Sequence, residues 1–306
     1  MTLLSGIIAQ LLHIALMAAA APTLVGLAEW LQARLAGRHG PPPLQPWRDL
    51  AKLLRKQAVV AESASAMTEW APFVCAAAVA IAACLVPSFA RGMTLAPLGD
   101  LLVIAGLLAL ARAALALAAM DAGVTPGGIG ASRAMLLACG SEMTLLLSVF
   151  AVGLSVSSTN LDVIAAAQQE ISALPRPGLL LALSAMTLVA LIDGGVLRRE
   201  ALASELGGAD VALVEAADAL RLLLWFDLLG AVFLPFGMAP AGAGPVAWII
   251  GAICWLARTM LFTVAVAALR TLHGRLSLPR AAGLLGVAVL LGLLAILVLF
   301  TSMRTA

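Results

Sequence analysis

Six ionisable side chains sit inside stretches otherwise made of Leu, Ala and Val: Arg112, Glu142, Asp218, Arg221, Asp227 and Arg258. An ionised group near the centre of a bilayer costs about 2.5–3.5 kcal/mol or more, so each needs a partner or a wet cavity. Residues of this kind suit one chemistry, the holding and passing of protons, because burial and neighbouring charge change their proton affinity. Spacing supplies partners. Arg112 precedes Asp121, at the end of one apolar run, by nine residues, and Glu142 follows Arg133, at the start of the next, by nine. With a helical rise of ~1.5 Å per residue, Arg112 and Glu142 both lie about 13 Å deep, on consecutive antiparallel helices. Arg221 falls at a similar depth, and Asp227 and Arg258 at roughly 18–21 Å. Asp218 and Arg221 are i, i+3 neighbours on one helix. These charges draw a polar line into the membrane, with Glu142 the leading proton-carrying candidate. A set of ion pairs that only fixes helix packing would leave the same trace.

Other chemistries find no support. Cys75, Cys84, Cys139 and Cys254 all lie in apolar runs, and no two form a C-x-x-C pair. An iron–sulfur cluster or zinc site needs thiols at ligand spacing, so no cofactor is expected in this chain and any redox centre belongs to a partner. His13, His39 and His273 are scattered and give no metal pattern. The Gly-rich stretch 123–130 lacks the Gly-Lys-Ser/Thr of a phosphate cradle. A net charge of +2 with no basic–aromatic platform gives nucleic acid no purchase.

The elements that must position these groups are apolar spans. Mean hydropathy is +1.08, and runs long enough to cross ~30 Å of hydrocarbon recur. Eight are expected, near 3–28, 68–90, 98–120, 133–157, 178–197, 213–238, 246–270 and 282–302. Each must satisfy its own backbone in lipid, so they are helices. No period-two alternation supports a β-barrel. The fold class is therefore all-α, a single polytopic membrane domain over 1–306. The first run has no basic residue before it and lasts some 25 residues, so it reads as a retained span rather than a signal peptide. Loops after the first, third, fifth and seventh spans hold 12 of the 18 Lys and Arg, and the other side holds Arg91, Arg176 and Arg304. The positive-inside bias then makes the first set cytoplasmic and puts both termini in the periplasm of an inner membrane.

Six of the basic residues fall between Arg34 and Lys56, in the 29–67 loop. Pro41, Pro42 and Pro43 break the chain after the first span, and Pro46 suits the first turn of a new helix. Trp47, Leu50, Leu53 and Leu54 then make one apolar stripe, with Arg48, Asp49, Lys52, Arg55 and Lys56 opposite. That is a short amphipathic helix in the interface. It could anchor to anionic lipid or dock a cytoplasmic partner. Pro-Pro-Pro, Gln45 and Asp49 add nothing to lipid binding, which favours docking.

The wording of this loop, Arg38, Gly40, Pro41, Leu44, Gln45, Asp49, Lys52, Leu53, Leu54 and Lys56, resembles the first cytoplasmic loop of the complex I H-subunit family. It is most similar to the hydrogenase branch, the hydrogenase-4 component C and formate hydrogenlyase subunit 4 type. The stretch 120–142, with Gly130-Ala131-Ser132-Arg133 and an acid in the following helix, resembles that branch too, as do LPFGM at 234–238 and Arg275 to Pro279. Three places depart from it. Ala134 follows Ser132-Arg133 where the branch has Glu; the loop after the fifth span is short, with Asp193, Glu200 and Glu205 as its remaining acids; and the seventh span carries Arg258 and no acid.

The resemblance implies a membrane anchor that does no covalent chemistry itself. It would dock a peripheral arm whose hydrogenase-like and iron–sulfur subunits carry a [NiFe] site and clusters. It would couple electron transfer to ion translocation through antiporter-like membrane subunits. Arg38, Gly40, Pro41, Gln45, Arg48, Asp49 and Lys52 would form the docking surface. The respiratory branch, whose members help shape a quinone chamber, is the first alternative. A stand-alone secondary transporter is the second, although such proteins often show two related halves and the chain has no such repeat.

Overall fold

The computed structural model describes residues 3–57, 64–121, 123–170, 176–196, 202, 206–274 and 276–305. Among the described residues ten α-helices form, and no strand longer than an isolated bridge does. They are α1 (Leu3–Leu35), α2 (Gln45–Leu54), α3 (Ala66–Leu85), α4 (Leu101–Asp121), α5 (Thr125–Val156), α6 (Leu161–Glu170), α7 (Pro177–Asp193), α8 (Ala209–Phe233), α9 (Pro245–His273) and α10 (Leu278–Thr305). Six of them, α1, α3, α4, α5, α9 and α10, are long and apolar enough to cross a membrane, and α7 is apolar but shorter. The eighth long helix, α8, carries too many charges to stand out by apolarity. Each of the eight overlaps one expected span, with ends that differ by up to eight residues, and α2 overlaps the expected amphipathic helix.

The charges on α8 are tolerated because that helix is central. Every residue from Leu222 to Phe233 is buried, and α8 packs against α1, α2, α3, α6, α7 and α9. A helix buried all round reads as apolar all round, and α8 does so except where ionic partners await it. The outer helices instead expose Leu, Ile, Val and Phe, including Val246, Ile249, Leu261, Leu290 and Phe300. Such a continuous apolar girdle belongs in lipid or against other membrane chains. Close packing of α5, α7 and α10 uses glycines: a Cβ on Gly178 would lie 2.5 Å from Leu299 Cγ, and one on Gly140 would lie 3.1 Å from Leu285 Cβ.

The two ends of the bundle differ. On the end away from α2, Leu101 N bonds Thr159 O, Leu161 N bonds Gly99 O, and Arg91 N and Ala239 N pair with Ala239 O and Phe89 O. Helix α6 lies here and the sequence reading missed it. Its signal was available: Leu161, Ile164, Ala165 and Gln168 are buried at helical spacing, and Asn160 Oδ1 accepts from Asp162 N at 3.0 Å as a cap.

Two boundaries are corrected. The 123–130 stretch is not an open Gly-rich turn: α5 starts at Thr125, with Pro126 in its first turn and Gly127 and Gly130 buried. Proline pre-sets the helical φ there. Helix α1 continues to Leu35, and its 33 residues span about 50 Å, well beyond a ~30 Å hydrocarbon layer. Its last turns therefore carry the chain out to α2.

Candidate functional site

The site is built on α8, the middle turns of α4 and α5, and the end of α7. Asp218 and Arg221 form an ion pair along α8. At the end of α7, Asp193 accepts from Trp225 Nε1 at 2.8 Å and pairs with Arg112 Nη1. The other nitrogen of the same guanidinium, Nη2, lies 3.0 Å from Glu142 Oε1. Arg112 thus ties α4 to both α5 and α7. The contact expected from equal depth does form, and Asp193 enters as a third member that depth alone did not place. A cavity of about 100 Å³ lies between Arg112, Ser141, Asp193, Asp218, Arg221 and Ala134. Leu115, Leu137, Ile192 and Val214 complete its wall, and the polar groups give a few waters partners there.

Burial sorts the members of this cluster. Arg112, Arg221, Asp193 and Asp218 are the deeper groups, and each of these acids has an arginine partner. Glu142 is the open member, with a side chain 41% exposed against 4% for Asp193.

A second cluster lies further along α8. Asp227 is wholly buried; its Oδ1 accepts from Trp255 Nε1 at 2.6 Å and lies 3.9 Å from Arg258 Nη2. Among the described residues its Oδ2 has no hydrogen-bond partner. Arg258 donates instead to Leu234 O at 3.0 Å and Ser88 O at 3.1 Å. Gly230 makes room for this guanidinium, since a Cβ there would lie 2.5 Å from Arg258 Cζ. The matched depths of Asp227 and Arg258 therefore bring them near one another without a direct hydrogen bond.

Other candidates are placed elsewhere. Asp121 accepts from Ser65 N, Ser65 Oγ and Thr68 Oγ1 at 2.7, 2.8 and 2.6 Å, which clasps the start of α3 to the end of α4. Arg133 is exposed in the third turn of α5. Glu200 and Glu205 lie outside the described residues. Among those described, no three His, Cys, Asp or Glu gather to hold a metal.

The expected docking segment folds back on the bundle. Gly26 in α1 receives it: a Cβ there would lie 2.1 Å from Pro43 O and 2.8 Å from Pro46 Cδ. Gly40 sits as tightly, with an added Cβ 2.7 Å from that of Ala33. Arg38 is exposed beside it, with Pro41. Gln45 Nε2 donates to Asp49 Oδ1 at 2.9 Å and Lys52 Nζ approaches the same oxygen at 3.4 Å, while Arg48 is exposed. Helix α2 contacts α1 and α8 yet buries no residue fully. Of its apolar stripe, Leu50 and Leu53 are half-buried, and Trp47 and Leu54 are exposed. At about 100° per residue, Trp47 and Leu54 share one line and the other two lie to its side. One edge of the stripe rests on the bundle and the other stays open.

Residues 7–196 match the family described as NADH dehydrogenase. The chain belongs to that family. It is 31% identical over 230 residues to hydrogenase-4 component C of Escherichia coli (strain K12), covering 71% of this chain and 72% of that protein. It is 30% identical over 229 residues to formate hydrogenlyase subunit 4 of the same organism, covering 72% and 75%. A chain of the archaeal membrane-bound sulfane sulfur reductase, a respiratory membrane complex, has the same fold, with a TM-score of 0.77 over 94% of this chain and 98% of that one at 22% identity. The resemblance read from the 38–56 and 120–142 stretches is borne out, in family and in branch.

Proposed function

We propose that this member of the NADH dehydrogenase family is the anchor and coupling subunit of a complex-I-like membrane-bound [NiFe]-hydrogenase. It docks the peripheral redox arm at α2 and links electron transfer to ion translocation. One observation carries this: α2, whose open stripe and basic face await a partner, rests on α8, the helix that holds Asp218, Arg221 and Asp227. A subunit seated on α2 therefore pushes on the helix that carries the buried charges. The [NiFe] site and iron–sulfur clusters sit on partner chains on the α2 face, which the Lys and Arg distribution makes cytoplasmic, with both termini periplasmic. Glu142 opens beside exposed Met143, Leu146 and Phe150, and an acid on a lateral membrane surface calls for a covering chain. An antiporter-like membrane subunit fills that role.

The test is charge reversal, Arg48→Glu with Lys52→Glu. The Lys52–Asp49 pair is a surface contact worth about 0–1 kcal/mol, so α2 survives the change. The variant chain stays in the membrane while hydrogenase activity moves to the soluble fraction. Activity that remains membrane-bound, or a wild-type chain that purifies without iron–sulfur subunits as a transporter would, refutes the proposal.

A further inference from the structure

The Asp227–Arg258 cluster does not end in the middle of the protein. Arg258 Nη2 reaches the carbonyl oxygen of Ser88 at 3.1 Å, and the hydroxyl of Ser88 lies 2.7 Å from His13 Nδ1. His13 and Ser88 are both buried. The other ring nitrogen, Nε2, lies 2.9 Å from Ala83 O. A carbonyl only accepts, so Nε2 carries the hydrogen, and the neutral ring takes its second bond at Nδ1 from the Ser88 hydroxyl. Nδ1 is thus a free base held on a hydroxyl, inside the membrane.

One helical turn earlier, Gln10 Nε2 donates to Cys84 O at 3.0 Å and its Oε1 accepts from Leu95 N at 3.3 Å. A void of about 10 Å³, room for one water, is lined by Gln10, Cys84, Pro87 and Asp162. Pro87 and Cys84, which line the void, are the chain neighbours of the two His13 partners, Ser88 and Ala83. Asp162 connects it to the end of the bundle away from α2, where its Oδ1 accepts from Gly92 N at 2.9 Å.

We propose that Asp227, Ser88 and His13 form a proton-carrying half-path from the middle of this chain to the face opposite α2, with His13 as its loading site. It rests on the ion-translocating function proposed above and extends the polar line across the membrane within one subunit. The unpartnered Asp227 Oδ2 accepts a proton and passes it through water to Ser88 Oγ, which hands its own hydrogen to His13 Nδ1. The imidazolium then holds one added proton, between Ala83 O and Ser88 Oγ, and the serine is again a neutral hydroxyl. Release reverses the last transfer, and Ser88 gives the proton to water in the Gln10–Asp162 void. Arg258 changes no protonation state; it holds the Ser88 carbonyl and balances the Asp227 charge.

The experiment measures protons moved per H₂ turned over by the intact complex in sealed vesicles, for wild type, His13→Gln, Ser88→Ala and Glu142→Gln. Glutamine can donate to Ala83 O and accept from Ser88 but cannot store a proton, so it separates a structural histidine from a carrier. His13→Gln assembles and moves protons roughly 100-fold less effectively, in line with loss of a positioned proton carrier. Ser88→Ala keeps the carbonyl that Arg258 uses, shows the same loss, and decides the matter should His13→Gln fail to assemble. Full stoichiometry in an assembled His13→Gln complex, or in Ser88→Ala, overturns the half-path. If Glu142→Gln still abolishes transport in that case, the coupling function stands and this inference alone falls. A wild-type complex that moves no ion overturns both.

Discussion

Replacing Arg112 by Ala removes a guanidinium that joins α4 to α5 and α7. The Arg112 side chain is 12% exposed and that of Asp193 is 4% exposed, so this is a buried pair. After the change Asp193 keeps the Trp225 Nε1 bond and the more distant Arg221 charge. Stranding one member of a buried pair costs about 3–5 kcal/mol. The loss at half-exposed Glu142 adds about 1 kcal/mol at most. A loss of ~3 kcal/mol raises the unfolded fraction more than ~100-fold, enough to lower the amount of assembled complex several-fold or more. The structure also separates two repairs. Arg112→Met with Glu142→Met, the choice that equal depth alone recommends, leaves Asp193 stranded and recovers little. Arg112→Met with Asp193→Asn removes both buried charges and keeps an acceptor for the Trp225 N–H, so it recovers most of the loss. Complex yield after solubilisation and the midpoint of thermal dissociation read both effects. Wild-type yield from Arg112→Ala, or equal recovery by the two double variants, refutes the assignment of Asp193 as the main partner.

Gly26→Val drives a side chain into Pro43 O, 2.1 Å from the Cβ position; overpacking of this kind costs about 1–3 kcal/mol. It should lift α2 and speed tryptic cleavage after Arg48 and Lys52 while the spans persist, and an unchanged cleavage rate would show that the loop does not depend on this seat. Changing Cys75, Cys84, Cys139 and Cys254 together to Ser should leave the iron and nickel content of the purified complex as it was. Loss of one cluster's worth of iron would place a ligand in this chain.

Whatever depends on distance along a helix was legible in the residues alone. Apolar run length set the eight spans, Pro41–Pro43 and the basic stripe set α2, and residue counts from the ends of adjacent runs brought Arg112 to the depth of Glu142 and Asp227 to that of Arg258. Packing settled what depends on rotation about each helix axis and on which helices are neighbours. Asp193 became the second partner of Arg112, and two indoles became donors to Asp193 and Asp227. Gly26 and Gly230 became the seats of a loop and a guanidinium, and His13, one imidazole in an apolar run, met a serine 75 residues away. Depth accumulates at a fixed rise per residue and survives in the sequence, whereas azimuth and neighbour choice are set by the packing of all the helices at once around α8.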